Sequence, residues 1–411
     1  MLNSRFIQIH YLTGYSATLL NRDDAGLAKR LPFGGTTRTR VSSQCLKRHW
    51  RTAEDSHALA ALQNVEMSLR SRHIFDEKVA RPLIEQEGLD RKKVEAAVAA
   101  FQDQLLGSSA RAKKEKKEKS EKGEKGETST YLQTSQVVIL GWPEVRFIQD
   151  KVRTILAGAA DIDAVNKGIE ALFNAEGKKN MKALLAAAQL PAGLDAALFG
   201  RMVTSDFLAR LDAAIHVAHA FTVHEHELET DYFSALDDLL QESGELGSGH
   251  INDSELTSGI FYGYVVVDVP LLVSNLTGCQ REGWESADRT LPARVVENLL
   301  HLIATVSPGA KKGATAPYAY AEMLLVESGN RQPRTLANAF RKPVPNKGRE
   351  DVRDVAIAQL GDYLKKFDAM YGGGEVRKVV SMADTSALHA ESVAGLDELA
   401  RWSANQIRGV A

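Results

Sequence analysis

The chain has 411 residues, 44% hydrophobic and 25% charged, globular values that exclude a wholly disordered or collagen-like polypeptide and suit one large domain with insertions or two modest ones. No run approaches the roughly 18 apolar residues of a membrane span, and the opening MLNSRFIQIHYL has no basic region followed by an apolar run, so a soluble, cytoplasmic protein with no membrane partner is expected. The net charge of −2 conceals a polarity: residues 1–51 carry nine Lys/Arg against two acids, whereas 211–280 carry twelve Asp/Glu and no Lys or Arg, which points to a polyanion at one pole and a protein contact at the other.

In chain order, RFIQIHYL sets Ile7, Ile9 and Tyr11 against Gln8 and His10, the period-2 pattern of a strand. A loop runs through Asn21-Arg22-Asp23-Asp24 to Gly34-Gly35, where the paired glycines allow a turn closed to other residues. Arg38, Arg40 and Ser42 then alternate onto one face of a short strand, and Ser42 or Ser43 caps a helix expected to reach about Gln63. Residues 76–106 read as helical with a break at Arg81-Pro82. The stretch 111–127 holds eight basic and five acidic residues with no apolar face, and is expected to be a mobile loop within an insertion. Helical, Ala-rich sequence dominates from 145 to about 220. Strands are expected at 258–269 and 323–327, and amphipathic helices around 350–371 and 394–408. Few, widely separated strands among helices point to an α+β fold. Cys45 and Cys279 are the sole cysteines, too few for a disulfide framework and without the spacing of a zinc site.

The densest chemistry is at the basic strand-to-helix corner. Gln44, Lys47, Arg48 and Arg51 fall at i, i+3, i+4 and i+7 and so share one helical stripe, with Cys45, Leu46, His49 and Trp50 on the other side. The stripe adjoins the helix N-terminus, whose free N–H groups favour an anion. So many cations suit a tracked phosphodiester backbone better than one small ligand.

The wording here, LNRDD at 20–24, FGG at 33–35 and R-x-R-V-S-S-Q-x-L-K-R at 38–48, resembles the CasC family, the repeated backbone subunit of the type I-E CRISPR Cascade surveillance complex. Further similar blocks follow in order: GRMVTS at 200–205, HAFTVH at 219–224, PGAKK at 308–312 and LANAF at 336–340. The resemblance implies an RRM-like (ferredoxin-like) palm, a helical fingers insertion and a thumb hairpin. In this chain these correspond to 1–65 and 258–345 for the palm, 66–220 for the fingers, 221–257 for the acidic thumb and 346–411 for helices completing the palm. It implies a non-catalytic protein without cofactor that stacks head-to-tail with other copies of itself along a CRISPR guide RNA and presents it for pairing with target DNA. The large, small, five-prime-handle and three-prime-hairpin-binding subunits of Cascade are the implied further partners. Arg22, Lys29, Arg38, Arg40, Ser42, Gln44, Lys47, Arg48 and Arg51 are the expected RNA-gripping positions. Met202 is expected beneath the bases, Phe233 and Ile251 on the thumb against a displaced nucleotide, and Lys178, Lys179 and Lys182 on target DNA.

Two alternatives carry less weight. Asp23, beside the RNA path, or His216 and His219, read as i, i+3 on a helix, would serve a metal-dependent ribonuclease, but no closed four-ligand spacing appears. SPGAKKGAT at 307–315 lacks the order of a phosphate loop, G-x-x-x-x-G-K-[ST].

Overall fold

The computed structural model describes residues 3–107, 132–174, 176–180, 190, 192–201, 211–236, 248–310, 312, 314–346 and 348–410, with the backbone alone at 233–236 and 248–253. The Lys/Glu-rich stretch 111–127 lies outside the described residues. The fold is α+β. Its strands are β1 (Phe6–Thr18), β2 (Arg30–Phe33), β3 (Thr36–Val41), β4 (Leu69–Ser71), β5 (Val138–Leu140), β6 (Ile215–Val217), β7 (Ala220–Thr222), β8 (Leu228–Leu236), β9 (Ser248–Asp268), β10 (Ala321–Gly329), β11 (Val376–Ser381) and β12 (Glu391–Ser392). Among the described residues the α-helices are α1 (Ser43–Arg51), α2 (Arg91–Leu106), α3 (Trp142–Gly158), α4 (Ile162–Leu172), α5 (Leu194–Phe199), α6 (Val269–Thr277), α7 (Thr290–Thr305), α8 (Val352–Tyr371) and α9 (Leu396–Arg408).

Two compact units form: residues 1–62, 215–270 and 288–411, and residues 63–214 with 271–287. The first is built on one sheet in the order β12-β11-β10-β1-β9-β7-β3-β2, antiparallel except between β11 and β12. Within it β10-β1-β9-β7 puts the fourth, first, third and second of these strands side by side, with α1 after β1 and α7 after β9. Consecutive residues of β10 from Met323 to Val326 are buried, so both sheet faces are covered. One packs on Ile357, Leu360 and Leu364 of α8, while α7 and α9 pack against each other and β10. β8 and the first half of β9 continue as an antiparallel hairpin in which Phe233 pairs with Asn252 and Ser234 with Ile251. In the second unit α2, α3 and α4 enclose a core of Val98, Phe101, Val145, Ile148, Val165 and Ile169, beside a buried Arg201–Glu144 ion pair at 2.6 Å.

The strand at 6–18 forms as expected, but its polar residues do not reach solvent: Gln8 and His10 are as buried as Ile7 and Ile9, because a second polar layer covers them. The helix capped at 42 stops at Arg51 instead of near Gln63, since Asp55 accepts from the His57 N–H and turns the chain. The break expected at Arg81-Pro82 falls later. Two wide turns, Phe75–Ala80 and Pro82–Gln86, bond i to i−5, and the chain reverses at Gly88 (φ +68°) before Asp90 caps α2. Helix does not persist to 220, because Ile215–Val217 and Ala220–Thr222 add to the edge of β9. His216 therefore sits on a strand with His219 just beyond it, and the two share no helix face. No described helix is long and apolar enough to cross a membrane.

Candidate nucleic-acid interface

The corner at residues 20–51 is assembled by short-range hydrogen bonds. Gly34 and Gly35, with φ +65° and +84°, form the two-residue turn between β2 and β3. A Cβ on Gly34 would lie 1.7 Å from the Arg341 carbonyl oxygen, so only glycine fits there. The preceding loop is tied by Asp23, whose Oδ1 accepts from the N–H groups of Ala25 and Leu27. The Asn21 side chain accepts from the Ser42 N–H, and the Lys29 N–H donates to the Asn21 carbonyl. These bonds fix the loop against the start of α1, whose N-cap Ser42 accepts from the Cys45 N–H. On α1, Leu46 and Trp50 turn into the core, while Gln44 and Arg48 are exposed and Lys47 and Arg51 half-buried.

Arg40 donates to the Arg30 carbonyl at 3.1 Å and lies 3.0 Å from His219 Nδ1. Burial, Arg40 and Lys29 together lower the His219 pKa, so a neutral ring stands beside that guanidinium. Burial pushes the Cys45 thiol up against the opposing pull of Lys29 and Arg48. Among the described residues no carboxylate pairs with Arg22, Lys29, Arg40 or Arg48. Glu255, on the neighbouring β9 strand, is already engaged. Buried Glu255 accepts from the Ala28 N–H at 2.7 Å and pairs with Arg30. The result is a fixed concentration of uncompensated positive charge, the electrostatic footprint of a polyanion site.

One expected RNA contact is corrected. Arg38 is fully buried, and its guanidinium donates to the carbonyls of Thr222, His224 and Phe340. Period-2 alternation places it on a face with Arg40, but the 336–341 segment covers its half of that face. Arg38 is thus a tie between β3, β7 and a distant turn. Of the other expected positions, Arg22, Lys29, Arg40, Ser42, Gln44, Lys47, Arg48 and Arg51 come together here. Phe233 and Ile251 lie on the paired strands of the β8–β9 hairpin. Lys178 and Lys179 are exposed in the second unit, and Lys182 and Met202 lie outside the described residues. His224 is buried, accepting at Nε2 from the Ile260 N–H, and His226 bonds Thr39.

Sequence reasoning overlooked a buried ionic cluster in the same unit. Glu327 accepts from Arg334 and Arg377 and lies 3.0 Å from His10 Nε2, while Tyr262 bonds His10 Nδ1 at 2.8 Å. Arg377 also reaches Asp368. The alternating Tyr262 and Tyr264 of β9 opposite His10 were its one local signal.

The fold and corner together define an α+β protein with a fixed cationic surface on a largely antiparallel sheet unit. The chain matches the CT1975-like protein family over residues 7–405 and belongs to it. It is similar to a chain of a solved "CRISPR RNA-guided surveillance complex, pre-nicking", with TM-score 0.73 and 26% identity, covering 98% of this chain and 100% of that one. It also shares its fold with a chain of a "CRISPR RNA-guided surveillance complex" at TM-score 0.64 and 21% identity, over 96% of this chain and 99% of that one. No curated protein sequence matches it.

Proposed function

We propose that the chain is a non-catalytic guide-RNA-binding backbone subunit of a CRISPR surveillance complex, the CasC subunit of the type I-E Cascade. The observation that carries this reading is the cationic corner, where no carboxylate among the described residues pairs with Arg22, Lys29, Arg40 or Arg48, in a chain similar over 98% of its length to a chain of such a complex. In this reading the sheet unit is the RRM-like palm, its strand order that of a ferredoxin-like fold, and its corner holds the ribose-phosphate backbone. The β8–β9 hairpin is the thumb that carries Phe233 and Ile251 to a displaced nucleotide. The helical unit forms fingers whose Lys178, Lys179 and Lys182 meet target DNA. Copies stack head-to-tail in the cytoplasm, with the acidic 211–280 region against the cationic pole of the next copy. A ribonuclease role finds less support. The Asp23 carboxylate is engaged in holding its own loop, and His219 faces Arg40.

The test is purification of the chain with its complex under low salt. The expected result is RNA of uniform length in fixed ratio to protein, left uncut after magnesium or zinc is added. Protein free of RNA at every salt concentration, or RNA cleaved on metal addition, overturns the proposal.

A further inference from the structure

The loop Ser307–Tyr320 contains the lysine-bearing motif that matches no phosphate-loop pattern, and the corner does not account for it. Its described residues are tied to the sheet unit at both ends. At its base the Ser307 hydroxyl accepts from the Ala319 N–H at 3.0 Å and lies 2.7 Å from the Ala319 carbonyl, with Tyr15 donating from behind. Toward its tip the Ala310 N–H donates to the Leu19 carbonyl at 2.9 Å. Leu19 stands two residues before Asn21, which anchors the cationic loop to α1, so the two loops are joined edge to edge. Pro317 packs inward against Gly309, and the alternation about it leaves Tyr318 73% and Tyr320 66% exposed, whereas Tyr11, Tyr262 and Tyr264 in the sheet are buried. Lys312 sits over the Tyr318 ring at 5.8 Å.

Two solvent-facing phenol rings, Tyr318 with an ammonium over it, on a loop hydrogen-bonded to the cationic one, suit a flat π-face linked to phosphate. Single-stranded nucleic acid supplies that combination in every nucleotide, and stacking on such rings is indifferent to sequence. A protein partner is less well matched, since an interface core would bury these rings among apolar neighbours and exclude the ammonium.

We propose that the Ser307–Tyr320 loop is a second contact for single-stranded RNA, with Tyr318 and Tyr320 stacking on nucleobases and Lys312 on the adjoining phosphate. The proposal rests on the guide-RNA reading of the corner and extends the bound path beyond it. Short mixed-sequence single-stranded RNA is titrated into the purified full chain across a salt series. Tyr318→Ala is expected to weaken binding by between about fivefold and a hundredfold with the salt slope unchanged, as a lost stack should. Tyr318→Trp is expected to restore it. Lys312→Gln is expected to flatten the slope by roughly 0.7, one phosphate contact on a single strand. All three side chains are exposed, so melting temperatures should match the parent. If the parent binds RNA and the variants bind equally well, this loop proposal is wrong while the corner reading stands. If the parent binds none, both fall. Variants that lose self-association but keep RNA affinity would make the strip a protein contact and overturn the proposal.

Discussion

Two regions of the sheet unit concentrate charge, and they treat it in opposite ways. Around Glu327 the cations Arg334 and Arg377 converge on one carboxylate with side-chain exposures of 13% and 7% against 0%, and His10 and Tyr262 complete the bonding. At the corner, Arg22, Lys29, Arg40 and Arg48 stand at the surface with no carboxylate among the described residues to neutralise them. A buried charge must be matched within the fold or it destabilises it by several kcal/mol. An unmatched surface charge costs little in water and is left available for a ligand. The contrast separates arginines that build this protein from arginines that are in position to bind.

The sharpest way to break the contrast is Glu327→Ala, which leaves the Arg334 guanidinium without its carboxylate and the buried Arg377 held by Asp368 but not by Glu327. The expected loss is about 3–5 kcal/mol of unfolding free energy by urea titration, with no change in RNA affinity per folded molecule. A stability unchanged within error would mean the cluster is open to water.

Arg38 and Arg40, two residues apart on β3, put the comparison into one strand. Arg38→Ala takes the guanidinium donor from the carbonyls of Thr222, His224 and Phe340, of which His224's keeps the Thr222 hydroxyl, and should destabilise by about 2–3 kcal/mol. Arg40→Ala should leave the unfolding midpoint nearly unmoved and weaken RNA binding instead. Equal effects of the two on either measurement would erase the distinction.

Acid should weaken the cluster. Burial pushes the Glu327 carboxyl up, but hydrogen bonds from Arg334 and His10 outweigh that and hold its pKa well below the ordinary glutamate range. Its contribution is complete above that ordinary range and is lost as pH falls toward the folded value. Burial holds His10 below 6.5, with Glu327 opposing, so the unfolded chain takes up that proton first. Both signs agree: stability should decline once pH drops below about 6.5, by at most about 1.4 kcal/mol per pH unit for each proton. Urea midpoints measured from pH 7 to pH 4 check this, and a midpoint rising on acidification contradicts it.

The smallest expected effect is at the joint between strand and helix. Ser42→Ala removes the N-cap of α1 and should cost about 1 kcal/mol, seen as a small shift in melting temperature. No shift would show that the Cys45 N–H finds another acceptor.

The helix stripe was legible in the sequence because 3.6-residue periodicity is local. Leu46 and Trp50 had to be buried, and that alone pointed Gln44, Lys47, Arg48 and Arg51 away from the core. The Gly34-Gly35 turn was legible for the same reason. Arg38 was not, since alternation assigns it a face but cannot say that Phe340, 302 residues later, will lie across it. The Glu327 cluster was hidden more deeply. His10 and Glu327 are 317 residues apart, and the polar half of an alternating strand reads as solvent-facing unless its cover is known. The histidines near 219 misled because the segment's helix-compatible composition is overridden by pairing with the edge of β9.

The central claim is that the corner holds phosphates, and the most direct measurement is the salt dependence of single-stranded RNA binding by the variant carrying Arg22→Gln, Lys29→Gln, Arg40→Gln and Arg48→Gln. The account predicts a log–log slope shallower by about 2.8, at roughly 0.7 for each of four contacts, with the unfolding midpoint near that of the parent. A slope equal to the parent's, in a variant that still folds, would contradict it.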